Sequence, residues 1–209
     1  MRIIHKDALE IIKYAEAGRG INARSKDGRY LYRTCYLCPA NVPTIGYGNI
    51  STVTRADVGR KTITEREADA IFDADLFVKT AALDRVLQGI TLNDEQYGAI
   101  LSLVFNIGIG NFAKSTVFKK LKAGKFKDVP AAMRMWNKGK VNGKLTVLPG
   151  LVSRRTREAE LFAFGTYGTD DRMVTGSTPV HEAVSVVARV SLATGAIVDK
   201  IKAALPKKP

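Results

Sequence analysis

Apolar positions three and four residues apart run through much of the first 164 residues and predict helices. Ala8, Leu9, Ile11, Ile12 and Ala15 follow Asp7 at that spacing, so residues 7–17 read as an amphipathic helix capped by Asp7, with Glu16 near its end. The pattern breaks over 18–50, where Gly, Pro, Asn, Tyr and Thr accumulate. Short β-prone pieces, Arg29-Tyr30-Leu31-Tyr32 and Thr44-Ile45-Gly46-Tyr47, stand there between turn signals and predict a small sheet or hairpin region. Thr64 and Glu67 have capping-box spacing and open a helical pattern through Ala68, Ile71, Phe72, Leu76 and Val78. Asn93-Asp94-Glu95-Gln96 opens another through Tyr97, Ile100, Leu101, Leu103, Val104 and Ile107, ended by Gly108 and Gly110. Further helices are expected at 114–123, 128–137 and 153–163.

From residue 165 the periodicity is lost and Gly, Thr, Asp, Ser and Pro collect, so 165–180 reads as a linker. His181 to Leu205 is rich in Ala and Val, with Glu182, Ser185, Arg189 and Lys200 near one side at helical spacing, and predicts a helical tail over 181–209. Two roles fit that tail: a helix docked on the body, or a basic interfacial helix that makes anionic membrane contact through residues 181–208. Arg189 and Gly195 argue against a spanning helix.

The 209 residues, 45% of them hydrophobic, suffice for one sizeable core. Charge adds a second constraint: 33 Lys and Arg face 20 Asp and Glu, a net of +13, which favours polyanionic partners without choosing among nucleic acid, anionic lipid and envelope polymers. Glu10, Lys13 and Glu16 interrupt the first residues where a secretory signal needs an unbroken apolar run, so synthesis in the cytoplasm is expected. Cys35 and Cys38 would need two further soft ligands to hold zinc, and only His5 and His181 remain, at opposite ends of the chain. No metal or cofactor is therefore expected.

A carboxyl at a helix end, opposed by a second ionisable side chain on a turn-rich sheet segment, is an arrangement suited to glycoside hydrolysis. One group protonates the leaving oxygen while the other activates water or attacks the anomeric carbon. Glu16 and Cys38 can fill these places. The segment Tyr36-Leu37-Cys38-Pro39-Ala40-Asn41-Val42-Pro43-Thr44-Ile45-Gly46-Tyr47-Gly48 closely resembles the active-site segment of phage-type lysozymes, glycoside hydrolase family 24. Five residues separate Cys38 from Thr44, the spacing of that family's second and third triad positions. The resemblance extends through Phe105-Asn106-Ile107-Gly108, Trp136 and Gly150-Leu151-Val152-Ser153-Arg154-Arg155 with Glu158, and covers roughly residues 8–164.

The resemblance implies an α+β, mostly helical, lysozyme-like fold over 1–164, with a small β-sheet lobe, a larger helical lobe and the C-terminal helical extension. It also implies a monomeric endolysin that cuts the β-1,4 bond between N-acetylmuramic acid and N-acetylglucosamine in peptidoglycan glycan strands. Glu16 would be the general acid, with Cys38 and Thr44 positioning or activating water, and Tyr47, Asn106, Arg154 and Arg155 as substrate-binding candidates. Made in the host cytoplasm, such an enzyme would reach the periplasmic wall by holin-type release, with no specific nucleic-acid partner.

The sequence departs from the family pattern in three ways. Residues 17–37 place twenty-one residues between Glu16 and Cys38 where the family usually has eight, an insertion of thirteen carrying Arg19, Arg24, Lys26, Arg29 and Arg33. Asn49 stands where many relatives have His. Cys stands at the second triad position, and a thiol's ordinary pKa of about 8.5 leaves it mostly neutral, so base, nucleophile and spacer all stay open for Cys38. A Cys35–Cys38 disulfide that silences the enzyme under oxidation is one reading of that pair; a reduced pair is the preferred one. Trp136 is expected in the core. The alternative function is a catalytically inactive cationic binder of wall or polyanion, and cleavage without water, as in lytic transglycosylases, is a third reading.

Overall fold

The computed structural model describes residues 4–16, 34–38, 41–141 and 143–167. The expectations for the basic residues of the insertion over 17–33, for most of the linker and for the tail at 181–209 lie outside these residues.

Helix α1 spans Lys6–Glu16 and buries Ala8, Ile11 and Ile12. Its entry differs from expectation: the His5 carbonyl accepts the first helical bonds, from Ala8 N (3.1 Å) and Leu9 N (3.3 Å). Asp7 therefore lies inside the first turn, where its charge suits the amino-terminal dipole, and is not the cap. A two-stranded antiparallel hairpin follows, β1 (Tyr36–Leu37) and β2 (Pro43–Thr44), in which Tyr36 pairs with Thr44.

The capping signals are realised at both long helices. Thr64 caps α2 (Glu65–Val86): its hydroxyl accepts from Glu67 N at 3.2 Å while its own N donates to Glu67 Oε2 at 2.7 Å. The bond from Thr64 N, and then a second from the Thr64 hydroxyl to the same oxygen at 2.8 Å, hold the exposed Glu67 carboxyl below its ordinary pKa. Asn93 and Gln96 repeat the arrangement at α3 (Asp94–Ile107), which ends at Gly108 with φ 80. Beyond Gly108 come α4 (Ile109–Lys114), α5 (Thr116–Lys122), α6 (Val129–Arg134) and α7 (Pro149–Phe164). A second hairpin, β3 (Lys138–Val141) with β4 (Lys144–Val147), joins α6 to α7. Proline at the start of α7 lacks the N–H that a first helical turn leaves unpaired, and left-handed Gly165 closes the other end. Trp136, half-buried, packs against the core as expected.

Helix α3 is the hub. Tyr97 through Val104 are all buried, as expected of a helix apolar on every side, and α7, α1 and α2 pack around it. The approach of α1 is close enough to require glycine: a Cβ on Gly98 would sit 2.6 Å from Ala8 Cβ. Gly98→Ala is expected to lower stability by about 1–2 kcal/mol, because the clash outweighs the gain in helix propensity. Thermal melting checks this, with a midpoint several degrees below wild type as the expected result.

Polar contacts fix α1 on its other sides. Lys13 pairs with Asp69 of α2 at 2.8 Å, and its ammonium lies 5.1 Å from the Tyr47 ring centroid. Arg157 of α7 sits over the Tyr14 ring, and Tyr167 donates to Glu10 at 3.1 Å.

Candidate active site

Glu16 is the last residue of α1 and is partly exposed, with 22% of its side-chain surface accessible. Its two carboxyl oxygens have different surroundings. Arg154 Nη1 donates to Oε1 at 2.7 Å, reaching from α7 across 138 positions of chain. Oε2 lies against the backbone of Gly48, where a Cβ would be only 3.1 Å away and φ is +86, so a side chain at 48 meets both steric and conformational resistance.

Gly48 belongs to a turn fastened at its ends and its flank. Ile45 and Asn49 exchange both backbone hydrogen bonds, at 2.9 and 3.0 Å. Asn49, 6% exposed, donates to Asp75 of α2 at 3.0 Å, and its side-chain oxygen accepts from Thr52 N and Oγ1 at 3.1 and 2.8 Å. Asn49 is thus a structural clasp that ties the Gly46–Tyr47–Gly48 turn to α2. The sequence marks Asn49 only as a departure from the family pattern and does not mark Asp75.

Cys38 and Thr44 are linked through one acceptor. The Val42 carbonyl receives Cys38 N at 3.0 Å and the Thr44 hydroxyl at 3.0 Å, closing the β1–β2 hairpin around them. Thr44 is buried and Cys38 half-buried. The Tyr36 phenol, opposite Thr44 in the sheet, is pushed up by burial and then by the negative charges of Cys38 and Glu16. A phenol raised in this way stays protonated at neutral pH.

Arg154 also donates through Nε to Glu158 Oε1 at 3.1 Å and through Nη2 to the Ser102 carbonyl at 3.0 Å. Glu158 Oε1 further accepts from Ser102 Oγ at 2.6 Å and Arg155 Nη2 at 2.7 Å. Arg155 Nε approaches Glu158 Oε2 to 2.7 Å as an ion pair without hydrogen-bond alignment. Arg155 and Glu158 are both fully buried. Burial pulls the Arg155 guanidinium below its ordinary value, and the Glu158 charge opposes that shift. The paired arginines therefore divide their roles: Arg154 reaches Glu16, while Arg155 turns inward. Glu158 and Ser102, which orient Arg154, carry no periodicity signal that marks them as polar partners.

Tyr47 lies in the core, edge-on to Phe72 at 5.3 Å, and Asn106 is exposed on the last turn of α3. No disulfide joins Cys35 and Cys38. Burial first, then the Asp57 charge, raises the Cys35 thiol, which leaves it protonated and poorly nucleophilic. Among the described residues no three His, Cys, Asp or Glu side chains converge as a metal site requires.

Comparison with known proteins bears on the family of the chain. The phage lysozyme family model matches residues 29–158. An endolysin of Acyrthosiphon pisum secondary endosymbiont phage 1 is 42% identical over 127 residues, 61% of this chain and 84% of the relative. The endolysin of Salmonella phage P22 is 33% identical over 128 residues, again 61% of this chain and 84% of the relative. The solved endolysin from Escherichia coli O157:H7 phage FAHEc1 aligns with a TM-score of 0.65 at 28% identity, covering 81% of this chain and 98% of that one. The helical body with its small sheets, the placement of Glu16 and these likenesses lead to one conclusion: the chain belongs to the phage lysozyme family and is a glycoside hydrolase of the muramidase class.

Proposed function

We propose that this lysozyme is an endolysin that hydrolyses the β-1,4 bond from N-acetylmuramic acid to N-acetylglucosamine, with Glu16 as general acid. The observation that carries the reading is the asymmetry of the Glu16 carboxyl. Oε1 is occupied by Arg154 at 2.7 Å, so the transferable proton belongs on Oε2. A glycosidic oxygen that approaches Oε2 receives that proton as its bond to the anomeric carbon breaks.

Water completes the reaction from the β1–β2 hairpin. The Thr44 hydroxyl gives its proton to the Val42 carbonyl and so offers an incoming water only lone pairs. A water that donates there keeps its own lone pair for the anomeric carbon, and the proton it releases as the new C–O bond forms passes to the Cys38 sulfur, as thiolate, or on to solvent. The course expected from the family resemblance is inversion. The enzyme acts as a monomer, is made in the host cytoplasm and reaches the periplasmic wall by holin-type release.

Product analysis tests this chemistry. Mass spectrometry of fragments released from purified sacculi should show hydrated reducing ends at N-acetylmuramic acid. Fragments lighter by one water would replace hydrolysis with intramolecular capture of the glycosyl cation.

A further inference from the structure

Residues 114–144 hold ten Lys and Arg against one acidic residue, Asp128, a net of +9 out of the chain's +13. All ten except Lys120 are exposed, and Lys120 is the one paired with Asp128, at 2.7 Å. The stretch of chain that carries α5, α6 and the β3–β4 hairpin is therefore strongly and openly cationic.

The hairpin adds an apolar component. In its register Lys138 stands opposite Val147 and Lys140 opposite Leu145, and directly opposed residues share a face. One face of the ribbon thus carries two lysines beside two aliphatic side chains. On the other face Leu148 leans over Gly139, where a Cβ would meet its Cδ1 at 2.7 Å. The lysine face has no such cover: Leu145 is 67% and Val147 49% exposed.

Lysine stems and aliphatic side chains entering an interface while the ammonium groups meet phosphates is how cationic surfaces engage anionic lipid. Nucleic acid or an acidic glycan would engage the lysines but gain nothing from Leu145 and Val147, and a sugar platform would present an aromatic ring. We propose that the β3–β4 hairpin, through Lys138, Lys140, Leu145 and Val147, docks on an anionic phospholipid bilayer. The rest of the basic stretch supplies the longer-range attraction. The proposal concerns the hairpin and not residues 181–208, and it does not depend on the catalytic assignment.

The test is co-sedimentation of the full chain with vesicles of phosphatidylglycerol in phosphatidylcholine, against phosphatidylcholine alone. Wild type should bind only the anionic vesicles. Lys138→Gln with Lys140→Gln should lower partitioning about thirtyfold. Leu145→Thr with Val147→Thr, which keeps strand propensity, should lower it about tenfold. Arg at both lysine positions should preserve binding. Melting temperature and turnover on soluble wall fragments should match wild type in every variant, which separates lipid docking from folding and from glycan cleavage. Undiminished vesicle binding by both the Gln and Thr pairs would overturn the proposal. So would a Gln pair that weakens binding to DNA and vesicles alike while the Thr pair binds vesicles normally, because the face would then be a general polyanion surface.

Discussion

Glu16→Gln is expected to reduce turnover on purified sacculi by about a thousandfold, within the range of roughly 10²–10⁴ that general acid catalysis contributes. The amide keeps an oxygen that accepts from Arg154 Nη1, so the side chain stays where the carboxyl lay, 2.7 Å from that guanidinium. What it loses is the proton for the leaving oxygen. Binding to insoluble wall and the melting temperature should change little, which separates a chemical defect from a structural one. Turnover within tenfold of wild type would remove Glu16 from the acid's place and send the search to another carboxyl.

Glu158→Gln is expected to lower stability by about 3–5 kcal/mol, because it removes the carboxylate paired with the fully buried Arg155 and leaves Arg154 with Glu16 alone. Arg154 is 6% exposed and Arg155 not at all, so solvent does little to replace the lost carboxylate. For a chain of this size the melting temperature should fall by about 10 °C. Turnover should fall as well, even well below the melting point, since a neutral amide holds Arg154 Nε more weakly than the carboxylate does and so loosens the group that places Nη1 on Glu16. A melting temperature within a few degrees of wild type would show that the pair is compensated elsewhere.

Local signals were legible wherever local physics decides the structure. Thr64 with Glu67 and Asn93 with Gln96 announce two helix starts in the sequence, because each cap is satisfied within four residues. Helix α4 escaped notice because six residues between Gly108 and Ser115 are too few to show a period. The β3–β4 hairpin escaped although Asn142-Gly143 between β-prone runs is a hairpin signal; the many lysines disguised the strands as a polar loop. The Cys38–Thr44 spacing was readable because both residues close one short hairpin. The Glu16–Arg154–Glu158 chain is different. Arg154 and Glu158 are helical neighbours four residues apart, but Glu16 lies on α1, and only the packing of α1 and α7 on α3 brings it to Arg154, so no window of sequence contains that link. Asn49 illustrates the same limit, since its partner Asp75 sits on α2 and nothing nearby marks the pair.

Glu16 is placed by what precedes it and what faces it: Ala8 on Gly98, Lys13 on Asp69, Glu10 under Tyr167 and Arg154 on the carboxyl itself. The Glu16–Arg154 contact thus rests on residues that precede position 17 and on α2, α3 and α7. The stretch after residue 16 is therefore a graft site, where a foreign peptide can be carried while that contact keeps its own scaffold.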